Sequence, residues 1–283
     1  MTANVVSGAG GVAGWRALNW PTLGFLVLMH GLALLAPWFF NWQALAVALG
    51  LHWLIGSLGI CLGYHRLLTH RSFRVPRGLE CVFAMLGALA LQGGPIFWVA
   101  AHRLHHAHAD DDARDPHSSG RGFWWSHVLW LLYRHPELSD GQTHRKYAPD
   151  LARQPFYRWL NRYHLLLQIP LAVLLFALGG WPFVVYGVFV RAVVLWHTTW
   201  LINSAAHLAG YRTSEVPDSS RNLWWAALLT YGEGWHNNHH AQPNAARAGL
   251  RWWEVDMTWW VIRALEMAGL ATQVVPPRPN PVR

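Results

Sequence analysis

The sequence predicts an all-α membrane protein whose four spanning helices pair into two hairpins, with the polar remainder gathered on the cytoplasmic side. Three observations predict it. Four stretches are apolar over close to the ~20 residues that a helix needs to cross a bilayer. They fall into two pairs, each joined by a link short enough to make a helical hairpin. The basic residues avoid both links: of 22 Lys and Arg, thirteen lie between Arg66 and Arg162 and seven from Arg212 onward. By the positive-inside rule this puts both termini and the long middle segment in the cytoplasm.

Taken in order, the first span is Trp20–Phe39, preceded by a single cation, Arg16, and joined through residues 40–42 to the second, Gln43–Cys61. A fifth apolar stretch, Leu79–Ala101, contains LQGGP (Leu91–Pro95). Its Gly-Gly-Pro breaks a helix, so residues 79–101 are expected to be re-entrant or interfacial, the alternative being a fifth span. The third span is Leu165–Leu178 with its flanks, and the fourth is Phe183–Ile202. They are linked by Gly179-Gly180-Trp181-Pro182, and Arg191 is the one cation inside a span. The tail PPRPNPVR, residues 276–283, is expected to be disordered. The N-terminus lacks a cationic start with an early apolar core, so no cleaved signal peptide is expected. The whole chain, 1–283, reads as a single membrane domain.

Composition agrees. The chain is 53% hydrophobic and 13% charged, against about 25% charged in an average soluble domain. Two cysteines, Cys61 and Cys81, make neither a disulfide framework nor a zinc ribbon. The formal charge of +8 is spread among 20 tryptophans rather than collected in runs. Anionic headgroups or an acidic protein partner fit that pattern, and nucleic acid does not.

Eight of 18 histidines sit in three boxes: HRLLTH (His65, His70), HRLHH (His102, His105, His106) and the last five residues of GEGWHNNHH (His236, His239, His240). On a helix, H-x-x-H-H carries imidazoles at i, i+3 and i+4 on one face. The predicted topology brings all three boxes to one side of the membrane. One catalytic zinc takes about three protein ligands, so eight clustered imidazoles point to two metal ions, with iron, zinc, copper and nickel all open on ligand type. In NSAAH, Asn203 and His207 share a helix face at the end of the fourth span. There His207 can ligate and Asn203 can hold a metal-bound water. His30, His52 and His197 lie within spans and are expected to be hydrogen-bonded inside the bundle. The run DDDARDP (Asp110–Pro116), flanked by His108 and His117, is expected to be a solvated loop, the alternative being that it supplies carboxylates behind the ligand imidazoles, and His117 and His127 are expected to carry no site role.

Four segments then carry a resemblance: GYHRLLTHRSF, HRLHHAHADDDARDPHSSGRGFWWSHVLWLL, TTWLINSAAHLAGYR and GEGWHNNHHAQP. In order and spacing, across roughly residues 63–270, they resemble the membrane fatty-acid desaturases of the Δ9 class. The stretches LQGGPIFW, GEGWHNNHHA and RWWEVDMTWW resemble its bacterial acyl-lipid branch most. The resemblance implies two irons, four transmembrane helices with a cytoplasmic helical cap, and a bent acyl tunnel. The implied ligands are His65, His70, His102, His105, His106, His207, His236, His239 and His240, with their division between the two ions left open. It implies a water-mediated contact at Asn203 and tunnel positions at Thr199 and Trp200. It implies a separate electron donor, a ferredoxin or else a b-type cytochrome, because no HPGG haem motif follows His240.

The chemistry is consistent with that machinery. An unactivated methylene offers side chains neither an acidic proton nor an electrophilic carbon, so a redox metal must act on it, with dioxygen leaving as water. The expected reaction is insertion of a cis Δ9 double bond into an acyl lipid of the inner membrane. Alternatives are an acyl-CoA substrate, a related diiron hydroxylase, and a non-enzymatic metal carrier. A carrier would place its ligands near the membrane midplane, and His236 argues against the front-end desaturases, which carry Gln there.

Overall fold

The computed structural model describes residues 17–135, 138 and 141–278, so Arg16 and the tail beyond Arg278 lie outside the described residues. Among the described residues the chain is helical throughout, with isolated bridges but no β-strand.

The first helix, α1, runs Trp20–Ala33, with the Asn19 side chain accepting from Thr22 N and Pro21 in its first turn. At 14 residues it is shorter than the predicted span; the chain then turns and forms a 3₁₀ turn, Ala36–Phe39. The second helix, α2, occupies Trp42–Thr69 as one 28-residue run. It starts on the Asn41 cap, whose side chain accepts from Ala44 N at 2.7 Å. The predicted end at Cys61 is therefore eight residues early. The polar residues that suggested an end are buried in the cap instead: Arg66, His65 and Tyr64 are each at most 5% exposed.

From Leu54 the helix widens to a π-helix. In an α-helix, residues five apart point about 140° away from each other. Where turns close by i→i+5 bonds, as in His70 N to His65 O at 3.1 Å, they return to one face. This brings the two histidines of HRLLTH together.

Helix α3 (Arg77–Ala88) packs along α2 at a close crossing. A Cβ on Gly59 would lie 2.6 Å from Gly87 N, so only glycine fits there. LQGGP does break the helix: α3 ends at Ala88 and α4 (Pro95–His108) begins at the proline. The freed backbone is bonded from the fourth apolar segment, with Arg191 donating to Leu89 O (2.8 Å) and Trp196 Nε1 to Ala90 O (2.9 Å). Such satisfaction is what allows an irregular turn among apolar helices.

The last apolar stretch, Pro155–Leu208, is one helical run of 54 residues, and with Trp42–Thr69 it makes two that are long and apolar enough to cross a membrane. It is not straight. Within α7 (Gln168–Val184), following α5 (Phe123–His127) and α6 (Pro155–Tyr163), Gly179 and Gly180 leave helical geometry, Gly180 at φ +64°. Leu175 packs against Gly187, twelve residues on, where a continuous helix would separate them by about 18 Å. The chain therefore reverses at the two glycines and returns through α8 (Arg191–Asn203). Short helices α9 (Trp224–Leu229), α10 (His236–Ala241) and α11 (Met257–Met267) close the far end. The main hydrophobic core, around Leu62, Leu67, Phe73, Val99 and Ile262, lies between α2, α3, α4 and α11. Residues 271–275 pair back onto Arg74, Ser72 and Ala246, and Arg278 bonds Gln242.

Candidate metal centre

All nine predicted histidines converge, in two adjoining groups. The first is His65, His70, His102, His106 and His239; the second is His105, His207, His236 and His240. Within each, the ligand nitrogens lie within 4.8 Å of one another. In the first group Nε2 atoms approach at 3.1 Å (His65–His239), 3.1 Å (His70–His102), 3.1 Å (His102–His106) and 3.0 Å (His106–His239). In the second, His207 and His236 approach at 3.0 Å. Two imidazole nitrogens each about 2.1 Å from one ion, at 90–110°, lie about 3.0–3.4 Å apart. The donor sets fit metal ions, and buried His240 Nε2 has no hydrogen-bond partner, an orphan atom that an ion would satisfy.

The two H-x-x-H-H boxes divide alike. Residues i and i+4 serve one group and i+3 the other: His102 and His106 against His105, His236 and His240 against His239.

Residues between the ligands anchor the helices. Arg103 donates to Leu68 O (2.8 Å) and Thr69 O (3.0 Å), capping the carbonyl end of α2 beside His70. Asn237 accepts from Thr213 N and Ser214 N, while Asn238 donates to Ala248 O and Glu254. These bonds place a six-residue helix that could not stand alone.

Carboxylates hold the rings from behind. Asp115 Oδ2 lies 2.8 Å from His105 Nδ1, Asp110 Oδ2 3.0 Å from His207 Nδ1, Asp218 Oδ2 2.9 Å from His240 Nδ1, and Glu233 Oε2 2.7 Å from His65 Nδ1. A carboxylate only accepts, so the hydrogen-bonded rings of His105, His207 and His240 carry their proton on Nδ1 and present the Nε2 lone pair inward. Two expectations are corrected here. Only Asp112–Arg114 of DDDARDP is fully exposed, because Asp110 and Asp115 are drawn in by His207 and His105. His117 is buried with His105 and Asp115 as a third titratable group. Glu233 and Asp218 carried no sequence signal beyond nearness to the boxes.

Beside the first group lies a cavity of about 60 Å³ whose lining includes Trp98, Thr199, Asn203, Thr230 and His236. Gln92, from the broken turn, donates to Thr199 Oγ1 (3.1 Å) and accepts from Trp98 Nε1 (3.3 Å), fixing one wall. Trp200 turns instead into the neighbouring apolar cluster of Leu26, Met29 and Trp196. The expected hydrogen bonds of the half-buried histidines within the apolar helices are present: His30 Nε2 to His197 Nε2 at 3.1 Å, and His52 Nδ1 to Tyr231 Oη at 2.5 Å. His127, given no role from sequence, extends the first chain to Ser204.

Burial holds His106, His236 and His239 well below the ordinary histidine range, with neighbouring imidazoles adding to the effect. It lowers His240 to about 4, against the opposing pull of Asp218. Neutral rings are the ones that ligate. Unfolding returns each ring to about 6.5, so the unfolded chain binds more protons between about 4 and 6.5. Metal-free protein should therefore lose stability as pH falls through that window, seen as a falling Tm between pH 7 and 5 in detergent. A Tm flat or rising across that range would contradict the assignment.

The fold and the two histidine groups define an all-helical protein with long apolar helices and a histidine-rich site built to hold metal. The chain belongs to the fatty acid desaturase family, whose model matches residues 36–275. It is 60% identical over 280 residues to the sn-2 palmitoyl-lipid 9-desaturase of Nostoc sp. (strain 36), covering 99% of this chain and 98% of that protein. It is 52% identical over 259 residues to the sn-1 stearoyl-lipid 9-desaturase of Anabaena variabilis, covering 91% and 94%. It is 48% identical over 260 residues to the palmitoyl-monogalactosyldiacylglycerol delta-7 desaturase of Arabidopsis thaliana, covering 92% and 70%.

Proposed function

We infer that the protein is a fatty acid Δ9 desaturase that acts on saturated chains of about 16–18 carbons carried on a membrane glycerolipid. The observation that carries this is the 60% identity, over essentially both full lengths, to a lipid 9-desaturase. The overall reaction takes a –CH2–CH2– pair, dioxygen, two electrons and two protons to a cis –CH=CH– and two waters. Two iron ions, one in each histidine group, would supply the oxidising power that an unactivated C–H bond demands. The chain's own residues do the rest. The nine imidazoles hold the ions, and the Asn203 amide orients a water at the cavity edge. Thr199, fixed by Gln92, forms the wall that sets which carbons lie nearest the metals.

The topology fits this use. Four apolar legs in two hairpins cross the inner membrane, the re-entrant turn at residues 89–94 lies at the interface, and the histidine groups sit at the cytoplasmic surface. An acyl chain entering from the bilayer then meets the metals partway along its length. Electrons come from a separate small acidic carrier, an iron–sulfur protein of ferredoxin type, which the basic cytoplasmic surface attracts. Orientation is tested with Cys81→Ser as background. Lys146→Cys, on an exposed stretch, is protected from an impermeant thiol reagent in sealed cells, and Gln43→Cys reacts; the reverse pattern overturns the topology.

The function is tested by expression in a host lacking Δ9 activity, with gas chromatography of lipid-bound and CoA-bound chains. A cis bond between carbons nine and ten, appearing first in the lipid-bound pool, is the expected result. Bonds at other carbons or hydroxylated chains as main product would refute the Δ9 assignment. Conversion of acyl-CoA alone would leave the chemistry and remove the lipid substrate.

A further inference from the structure

Resting on the reading of one iron in each histidine group, we propose that the two positions are redox-inequivalent. The four-histidine position (His105, His207, His236, His240) has the lower potential and gives up its electron first. The reason is the charge behind the rings. Three of its four ligands meet a carboxylate at Nδ1: Asp115, Asp110 and Asp218, at 2.8, 3.0 and 2.9 Å.

The other partners of these carboxylates are neutral. Asp110 accepts from Ser119 Oγ and from Ser219 N and Oγ, Asp115 from the backbone of Asp110 and His117, and Asp218 from Ser220 N. The remaining neighbour of Asp115 is the buried His117 ring, whose Nδ1 stands off at 3.5 Å from Oδ1 without a hydrogen bond. Among the described residues no Lys or Arg pairs with any of these three carboxylates, so an ion in this group would be the cation they face.

The five-histidine position is built differently. Its one carboxylate contact among the described residues is Glu233 at His65, and Arg66, with Nε and Nη2 at 3.1 and 3.0 Å from Oε1, offsets that charge while also facing Asp256, which leaves one net negative charge here against three at the other position. A fifth neutral imidazole adds a donor but no charge. Nearby uncompensated negative charge stabilises the more highly charged ion, and a carboxylate on Nδ1 makes the ring a stronger donor. Both effects favour the ferric ion at the four-histidine position.

When the diferrous protein meets a one-electron oxidant such as ferricyanide, one electron leaves that ion and ferricyanide becomes ferrocyanide, with no bond made or broken. In the reverse direction, an electron entering the diferric protein goes first to the five-histidine ion.

The test is an anaerobic potentiometric titration of detergent-solubilised, full-length protein loaded with 57Fe, followed by Mössbauer spectroscopy, after its iron content has been measured. Two one-electron steps are expected. Asp218→Asn and Asp110→Asn raise the lower step and leave the upper in place, while Glu233→Gln raises the upper and leaves the lower. Asp218→Glu, which keeps the charge, restores the wild-type lower step. Ser219→Ala serves if an Asn variant fails to load iron. It removes a hydrogen bond from Asp110, concentrates charge toward His207, and moves the lower step down. Two irons with a single shared step, or Asp variants that shift the upper step, overturn the proposal while leaving the diiron reading intact. A single bound ion overturns both.

Discussion

Replacing His239 by alanine lowers double-bond formation to background, a loss of at least about 100-fold, because even partners lying behind metal ligands are worth 10- to 100-fold. His239 is the third box's sole contribution to the five-histidine group, and its Nε2 lies 3.1 Å from that of His65 and 3.0 Å from that of His106. Without it the other four rings have no shared centre opposite α4. The helix itself stays in place, since Asn237 and Asn238 make its anchoring bonds. The variant should therefore reach the membrane in normal amount and carry less than the two irons expected of the parent. Gas chromatography of the lipids and iron analysis of the purified protein check both halves. Full activity in a variant binding one zinc and no iron would end the diiron reading.

Arg66→Ala should be the most damaging single change to stability. The Arg66 guanidinium, 2% exposed, lies between Glu233 and Asp256, with Nη2 3.0 Å from each, and also donates to Ala246 O at 2.8 Å. Asp256 is itself 2% exposed and caps α11 through Trp259 N. Removing the cation leaves two buried carboxylates facing one another, which costs about 3–5 kcal/mol for a broken buried pair. Thermal unfolding in detergent should show a sharp fall in Tm with loss of bound metal. Arg66→Lys, which keeps the charge but not the fork, should fall between the two. An Arg66→Ala protein as stable as the parent would mean that the pair carries no structural load.

The difference between what could and could not be read in advance is physical. The complete set of nine ligands follows from the resemblance, but the six imidazoles of the two H-x-x-H-H boxes could be placed on shared helix faces from residues alone, because i, i+3, i+4 spacing is a helix-face statement. So could the break at Gly93-Gly94-Pro95 and the reversal at Gly179-Gly180, because glycine and proline act on the backbone where they stand. The end of α2 could not. Tyr64, His65 and Arg66 look like an exit into water, and only contact with Glu233 and Asp256, about 170–190 residues away, turns them into core. The same holds for Asp110 and Asp115. Acidic runs are solvated by default, and which carboxylates turn inward depends on His105, ten residues before Asp115, and on His207, 97 residues after Asp110. Division of the nine histidines needed the π-widened turn and the relative rotation of α4 and α10, which no single window of sequence carries.

The alternation by which each H-x-x-H-H helix sends two ligands to one group and one to the other makes the two histidine groups a single mechanical object. Turning α4 or α10 by a few degrees moves ligands of both positions together, and in opposite senses. The spacing of the two groups is then held by two helical pitches acting like crossed pins, and neither group can be loosened or emptied without disturbing the other. A chain built this way has no stable intermediate with one good site and one poor one. Assembly of the centre should be all-or-none in metal, and a variant that retains one ion at full affinity should be hard to find by changing any residue on either helix.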